Sequence, residues 1–266
     1  MRNSAIKFLT LLLILPLAAA ASAQDWAKAR LDASPRHHEY VALHHGDRTL
    51  QAFVVYPEVK QKAPVVILIH EIFGLTDWAK EMADEIAAQG FIVVAPDLLS
   101  GHGPNDGGSD AFPDQDARVK AVSALDPDAV LADLDAAADY AKTIHAANGK
   151  LAVVGFCWGG GKSFAFAAHR PGLTADFVFY GPQPPDITTL TAPVYGFYAG
   201  NDARISSTVP DTIKAMKAAH KIYEPVIYDG AGHGFMRAGE APDPSPANKK
   251  AREEGFARLI AKLKKM

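Results

Sequence analysis

Cysteine is almost missing from this sequence, since Cys157 is the only one in 266 residues. A single thiol can form no disulfide within the chain. The sequence also lacks a long apolar segment: FLTLLLILPLAAA, at 8–20, is too short to span a membrane comfortably. A strong excess of charge is missing too, because the formal net charge is only -3. The chain therefore offers no general attraction for nucleic acid or anionic lipid.

The first residues have the three parts of a secretory signal peptide. Arg2 and Lys7 supply the positive region, the apolar segment follows, and ASA at 21–23 is a small-residue cleavage pattern. We therefore expect residues 1–23 to be cleaved and the protein to be exported, either periplasmic or secreted. No membrane contact is expected after cleavage. An uncleaved membrane anchor is the alternative interpretation.

Residues 24–35 are interpreted as an N-terminal extension and residues 36–266 as a single domain. Apolar or alternating runs predict strands at 37–43, 48–57, 63–70, 91–97, 150–156, 175–181, 192–200 and 223–229, the first two as an antiparallel pair. Helical patterns lie at 76–89, 128–147, 159–169, 207–221 and from 248 onward. This alternation predicts an α/β fold with a doubly wound, mostly parallel sheet and helices on both faces. Such sheets bind ligands at the carboxyl ends of their strands.

The stretch VVGFCWGGGKSFAF, at 153–166, allows two interpretations. Its right half, GGGKS, is similar to a phosphate-binding loop, but that motif needs its first glycine at position 156, which is Phe156. Gly155 stands one residue too early, and the spacing matters because each backbone N–H must point at a phosphate oxygen. The phosphate-loop interpretation is therefore disfavoured.

The second interpretation is a nucleophile elbow, in which a strand turns sharply into a helix. The pattern glycine–x–nucleophile–x–glycine fits in register at Gly155, Cys157 and Gly159. The following helix directs its positive end at Cys157, which favours the thiolate over the thiol. We therefore expect a nucleophile here, although a buried structural thiol is the commoner role of a free cysteine.

A triad in such a fold places its acid and then its histidine after the nucleophile. Asp202, in GND, follows a predicted strand, and His233, in AGHGF, lies in a glycine-rich loop after the next strand. Asp229 is a weaker candidate for the acid because it still belongs to its strand. The order therefore predicts Cys157, Asp202 and His233 together at the active edge of the sheet.

Two pairs of neighbouring histidines raise the question of a metal site. They are His37 with His38 and His44 with His45, all on or next to predicted strands. Adjacent residues on a strand point to opposite faces, so shared coordination by either pair is not expected. We predict neither a metal ion nor another cofactor.

Four motifs, HEIFG, GFCWGG, GND and AGHGF, together resemble the dienelactone hydrolase family of α/β-hydrolases, over essentially the whole chain from residue 36. The resemblance implies the α/β-hydrolase fold and a Cys157–His233–Asp202 triad that hydrolyses a small ester or lactone through a thioester. It also implies that Glu71, in HEIFG, pairs with the thiol and helps to deprotonate it when substrate enters. That role is chemically reasonable if desolvation raises the pKa of the carboxylate.

The same family resemblance suggests how the substrate is held. We expect the backbone N–H groups of Trp158 and Ile72 to bind the oxyanion. Phe73 is expected to line the acyl pocket, although core packing is an equally good interpretation of an aromatic side chain there.

Members of the family that act on dienelactones hold the substrate carboxylate with two arginines. Arg237 corresponds to one of them, but Gly101 stands where the other is expected. Glycine cannot replace a bidentate guanidinium. A neutral or bulkier ester is therefore plausible as substrate, and the enlarged loop 99–119 is a candidate for an altered lid or mouth.

Two other functions are compatible with part of this pattern. A non-catalytic ligand-binding or interaction protein can keep the same fold, since fold does not determine function. Thiol redox chemistry at Cys157 lacks a second cysteine to resolve a mixed disulfide. The sequence therefore favours an exported, monomeric hydrolase of small-molecule esters or lactones, without a nucleic-acid partner.

Overall fold

The computed structural model describes residues 24–266, so the predicted signal peptide at 1–23 lies outside the described residues. Eight strands in this part of the chain form one sheet. The strands are β1 (His38–His45), β2 (Arg48–Val55), β3 (Ala63–Ile69), β4 (Ile92–Pro96), β5 (Ala147–Phe156), β6 (Ala175–Phe179), β7 (Val194–Ala199) and β8 (Tyr223–Tyr228). Their order across the sheet is β1-β2-β4-β3-β5-β6-β7-β8. β2 is antiparallel to both of its neighbours and the remaining neighbouring pairs are parallel.

Helices cover both faces of the sheet, which confirms the predicted α/β-hydrolase architecture. The helices are α1 (Asp25–Asp32), α2 (Asp77–Ala88), α3 (Gln115–Ser123), α4 (Pro127–Thr143), α5 (Trp158–His169), α6 (Ala203–Ser206), α7 (Val209–Ala218), α8 (Phe235–Ala238) and α9 (Pro246–Leu263). One apolar layer contains side chains of α1, α2, α8 and α9, and the other contains side chains of α4, α5 and α7. Within 24–266, no helix is both long enough and apolar enough to cross a bilayer.

The middle strands are buried on both faces, as the continuous apolar run at 63–70 predicts. In β3, Val66 and Leu68 pack in the layer that contains α2, whereas Val65 and Ile67 pack in the layer that contains α4 and α5. This division follows from strand geometry, because successive side chains point to opposite faces.

The extension at 24–35 is folded onto the domain. Helix α1 packs against α2, and its Ala27 is completely buried. Gln24 Oε1 accepts a hydrogen bond of 3.1 Å from the backbone N–H of Trp78, in the first turn of α2. The extension therefore belongs to the same folded unit as the rest of the described chain.

Two segments differ from the sequence-based expectation. The predicted loop 99–119 includes the beginning of α3, whose first turn is capped where Asp114 Oδ1 accepts from the N–H of Ala117 at 2.8 Å. The helix predicted to reach Ala147 ends at Thr143, because Ala147 already pairs with Ala63 in the sheet. In both cases hydrogen bonds determine a boundary that the polar and apolar pattern left open.

Candidate active site

Cys157 occupies the turn between β5 and α5. Its backbone φ is 58°, a conformation that is costly for a residue with a side chain. Neighbouring backbone leaves no room for larger residues: a Cβ at Gly155 would lie 1.9 Å from the carbonyl oxygen of Gly159, and a Cβ at Gly159 would lie 2.4 Å from that of His70. The strand and helix therefore approach as a nucleophile elbow requires, with the thiol at the carboxyl edge of the sheet.

The imidazole of His233 lies between the thiol and a carboxylate. Its Nε2 is 3.0 Å from Sγ of Cys157, and its Nδ1 is 2.5 Å from Oδ2 of Asp202. Asp202 is buried, whereas Asp229, the weaker candidate for the acid, is exposed. The structure thus brings together the three groups that the order along the chain predicted. In this geometry the carboxylate orients the imidazole and stabilises its protonated form.

The loops that carry the acid and the histidine are joined by contacts that sequence analysis missed. Asn201 donates from its backbone N–H to the Ala231 carbonyl at 2.8 Å and from Nδ2 to the Gly230 carbonyl at 3.1 Å. Asn248 of α9 accepts a hydrogen bond of 2.8 Å from the N–H of Gly232. The asparagine in GND was the available signal, but nothing near it in sequence indicated its partner.

The backbone N–H groups of Trp158 and Ile72, the residues expected to form the oxyanion hole, lie near the sulfur of Cys157 and act to lower the pKa of the thiol. Burial, and after it the charge of Glu71, raises the pKa of Cys157, although both N–H groups oppose the change. The raised pKa favours the thiol over the thiolate. Desolvation of the thiol therefore opposes the effect of the helix dipole, which favours the thiolate.

The carboxylate of Glu71 pairs with Arg237 and not with the thiol. Arg237 Nε donates to Oε2 of Glu71 at 2.7 Å, and its guanidinium lies 4.9 Å from the centre of the Phe73 ring. Burial raises the pKa of Glu71, whereas the charge of Arg237 acts in the opposite direction. The buried carboxylate is thus stabilised by a guanidinium, which is a better partner for it than a neutral thiol. The implied role of Glu71 in deprotonating the thiol when substrate enters stays a prediction.

His70, which sequence analysis also missed, lies behind the oxyanion hole. Its Nδ1 donates a hydrogen bond of 2.7 Å to the carbonyl oxygen of Glu71, and its ring stacks on the Trp158 indole with centroids 5.6 Å apart. The Glu71 carbonyl and the Ile72 N–H belong to one planar peptide unit. One buried imidazole therefore contacts both halves of the expected oxyanion hole. Its position beside Glu71 in HEIFG was the only sequence signal.

A cavity of about 670 Å³ opens at Cys157. Its walls are mainly apolar and include Trp158, Tyr180 and the proline-rich segment 182–185. Tyr180, at the carboxyl end of β6, lies edge-on against the His233 imidazole with ring centroids 5.0 Å apart. The volume and lining suit a small organic molecule.

Some residues expected near the substrate do not line this cavity. Phe73 and Arg237 are not among its lining residues, because they contact each other beside Glu71. None of its lining residues comes from the loop 99–119. Gly101 is exposed, and a Cβ there would approach Arg48 at 3.8 Å.

One histidine of each neighbouring pair contacts a carboxylate, and the two carboxylates are different. His38 Nε2 is 2.8 Å from Oδ1 of Asp84, and His45 Nε2 is 2.6 Å from Oδ1 of Asp133. The two contacts lie on opposite sides of the sheet edge strand, because 38 and 45 differ by an odd number of residues.

A group of three carboxylates lies away from the thiol. Glu81, Glu85 and Glu240 place their oxygens close enough together to hold a metal ion. Arg252 forms ion pairs with Glu85 and Glu240, so a guanidinium already neutralises part of this group.

The chain is similar to proteins of one family. Residues 50–266 match the model described as "Dienelactone hydrolase family". A relative from Escherichia coli (strain K12), named "Putative carboxymethylenebutenolidase", is 35% identical over 212 residues, which cover 74% of this chain and 75% of the relative. A relative from Bradyrhizobium sp, named "Probable 2-oxo-3-(5-oxofuran-2-ylidene)propanoate lactonase", is 32% identical over 203 residues, which cover 69% of this chain and 78% of the relative. The crystal structure of a "Putative Dienelactone Hydrolase" from Klebsiella pneumoniae superposes with a TM-score of 0.75 and 27% identity, covering 87% of this chain and 99% of that one.

Proposed function

This chain belongs to the dienelactone hydrolase family and is a hydrolase of the ester and lactone class, and we propose that Cys157 is its nucleophile. The observation that carries the proposal is the row of three groups, Cys157, His233 and Asp202, joined by contacts of 3.0 and 2.5 Å. The N–H groups of Trp158 and Ile72 supply the means of binding an oxyanion at the same place.

The first step is transfer of the thiol proton to Nε2 of His233. Because the pKa of Cys157 is raised, the proton leaves only as the imidazole accepts it, and Asp202 stabilises the resulting imidazolium. An electron pair on sulfur then forms a bond to the substrate carbonyl carbon, while the carbonyl π electrons move onto oxygen. The N–H groups of Trp158 and Ile72 bind that oxyanion.

Collapse of the tetrahedral intermediate re-forms the carbonyl and breaks the bond to the leaving oxygen, which takes the proton from the His233 imidazolium. A thioester on Cys157 results, and the alcohol of an opened lactone stays attached to it. His233 next removes a proton from water, which attacks the thioester. The sulfur leaves, recovers the proton from the imidazolium, and the carboxylic acid is released.

The Glu71–Arg237 pair controls the resting thiol in this mechanism. The charge of Glu71 helps to keep the thiol protonated, and thiols react with oxidants and alkylating agents mainly as thiolates. A protonated resting state suits an exported protein with a single cysteine. Export itself is part of this proposal and rests on the sequence of residues 1–23.

The test is the mass of the intact protein after mixing the mature chain with a panel of activated esters and lactones and quenching rapidly. The expected result is a transient acyl adduct on the wild type during turnover. The Cys157→Ala variant should show neither adduct nor turnover. Because the chain has one cysteine, an adduct that is lost in Cys157→Ala is assigned to that sulfur.

A stable fold without turnover or adduct across the panel would reject the cysteine mechanism and favour a ligand-binding protein that retains the fold. Near-ultraviolet circular dichroism of Cys157→Ala serves as the folding control. Turnover that persists in Cys157→Ala would instead assign the nucleophile to another group.

A further inference from the structure

Two cationic side chains line the cavity at Cys157. Its lining residues include Lys162 and Arg204, and none of them is an aspartate or a glutamate. The two cations come from different elements: Lys162 lies on α5, one turn after Cys157, and Arg204 lies on α6, two residues after Asp202. Arg204 is close enough to the thiol for its charge to lower the pKa of Cys157.

Neither cation forms a hydrogen bond or an ion pair with any residue in 24–266. The ammonium of Lys162 lies 5.2 Å from the centre of the Trp158 ring, and burial lowers its pKa. Asp126 is the acid that acts on it electrostatically, but Oδ1 of Asp126 already accepts two backbone hydrogen bonds at the beginning of α4. A partly buried cation that packs on an aromatic face and contacts no anion among the described residues suits an anionic ligand.

Arg237, the other cation near the thiol, already has an anionic partner. Arg237 donates to the buried Glu71 and packs on Phe73, and it does not line the cavity. Gly101 contributes no charge. A substrate in the cavity therefore meets free positive charge only at Lys162 and Arg204 among the described lining residues.

We propose that Lys162 and Arg204 form a binding site for an anionic group on the ester or lactone, separate from Arg237. This inference rests on the proposed function. It names the substrate class as an ester or lactone with an apolar body, which packs against Trp158 and the prolines at 182–185, and a carboxylate remote from the reacting carbonyl. The carboxylate accepts charge-assisted hydrogen bonds from the two cations, which raises the local concentration of correctly placed substrate.

The test uses matched esters. One series consists of mono-para-nitrophenyl esters of linear dicarboxylic acids of increasing length, each paired with the methyl-terminated acyl ester of equal length. A second series places the carboxylate on the leaving phenol instead of on the acyl chain. The measured quantity is the ratio of kcat/KM for the anionic ester to kcat/KM for its neutral partner, corrected for uncatalysed hydrolysis.

For at least one length in one series, the wild-type ratio should exceed one and should fall as salt is added. In Lys162→Met and in Arg204→Met we expect that ratio to fall roughly tenfold to a hundredfold, the range for loss of one charge-assisted hydrogen bond. Lys162→Arg and Arg204→Lys should keep most of it. Lys214→Met is the matched control, because Lys214 is exposed on α7 and pairs with Asp211 outside the cavity.

Two results would overturn the inference while leaving the proposed function intact: neutral esters are hydrolysed but no anionic ester is preferred, or the preference disappears in Arg237→Met and persists in both cavity variants. Failure of the proposed function has a different signature, since then neither member of any ester pair is hydrolysed. The series that shows the preference identifies whether the acyl part or the alcohol part of the substrate enters the cavity.

Discussion

Arg237 and Glu71 are 166 residues apart in the chain, yet Nε of the arginine donates a hydrogen bond of 2.7 Å to the buried carboxylate beside the thiol. The pair links α8 to the segment that follows β3, next to the elbow. The pair places a negative charge near Cys157. It also engages Arg237, which the family resemblance assigned to binding the substrate carboxylate. The protonation state of the nucleophile and the choice of substrate anion site therefore depend on the same contact.

Replacing Glu71 by glutamine should lower the pKa of Cys157, because it removes a charge that raises this pKa while keeping the size of the side chain. The measurement is the rate of alkylation by iodoacetamide as a function of pH, whose midpoint should move to lower pH. Asp229→Asn removes one exposed acid near His233 and should leave the midpoint in place. An unchanged midpoint in Glu71→Gln would mean that the carboxylate does not act on the thiol.

Asp202→Asn should reduce kcat by about 10²- to 10⁴-fold, because the amide no longer fixes the tautomer of His233 or stabilises its protonated form. Asp229→Asn should change kcat by no more than roughly twofold, as expected for a surface substitution away from the reacting groups. Steady-state kinetics with a neutral para-nitrophenyl ester makes the comparison. Equal losses in both variants would contradict the assignment of the acid.

His70 should act as a positioning residue for the oxyanion hole. His70→Leu removes the hydrogen bond to the Glu71 carbonyl, so we expect kcat to fall roughly tenfold to a hundredfold, less than the loss of an oxyanion donor itself. KM should change little, since the oxyanion forms only after binding. His70→Asn, which keeps a donor, should recover part of the loss. If both variants mainly raise KM, the imidazole supports the pocket and not the oxyanion hole.

Burial, together with the charges of Glu85 and Glu240, raises the pKa of Glu81 from 4.5 to about 9. A carboxyl whose pKa is higher in the folded state has no effect on stability below its unfolded pKa, and it destabilises the fold increasingly as pH rises toward the folded pKa. Glu81→Gln should therefore raise the melting temperature, by little near about pH 4 and by several degrees near about pH 8.

Thermal unfolding followed by circular dichroism at several pH values tests this prediction. Glu253→Gln is the control, because Glu253 is an exposed acid on α9 that forms an ion pair with Lys249. A constant difference between Glu81→Gln and wild type over this pH range would mean that folding does not raise the pKa of Glu81.

Much of the fold could be predicted because it depends on short-range patterns. The apolar run at 63–70 can be satisfied only by burial on both faces, and the strand–helix alternation then determines the sheet. The end of α4 and the beginning of α3 could not be predicted as well. The end of α4 depends on the pairing of Ala147 with Ala63 in the sheet, which competes with continued helix. The beginning of α3 depends on the cap that Asp114 provides, which competes with continued loop.

The sequence by itself determined the elbow and the order of the triad, because Gly155, Cys157 and Gly159 are neighbours and their steric requirements are local. Tertiary structure alone decided which charges are paired. The contact of Glu71 with Arg237, and the absence of such a contact for Lys162 and Arg204 among residues 24–266, depend on how distant segments meet at the edge of the sheet. Charged side chains take whichever partner the folded backbone brings within a few ångströms, and that choice has no signature in the local sequence.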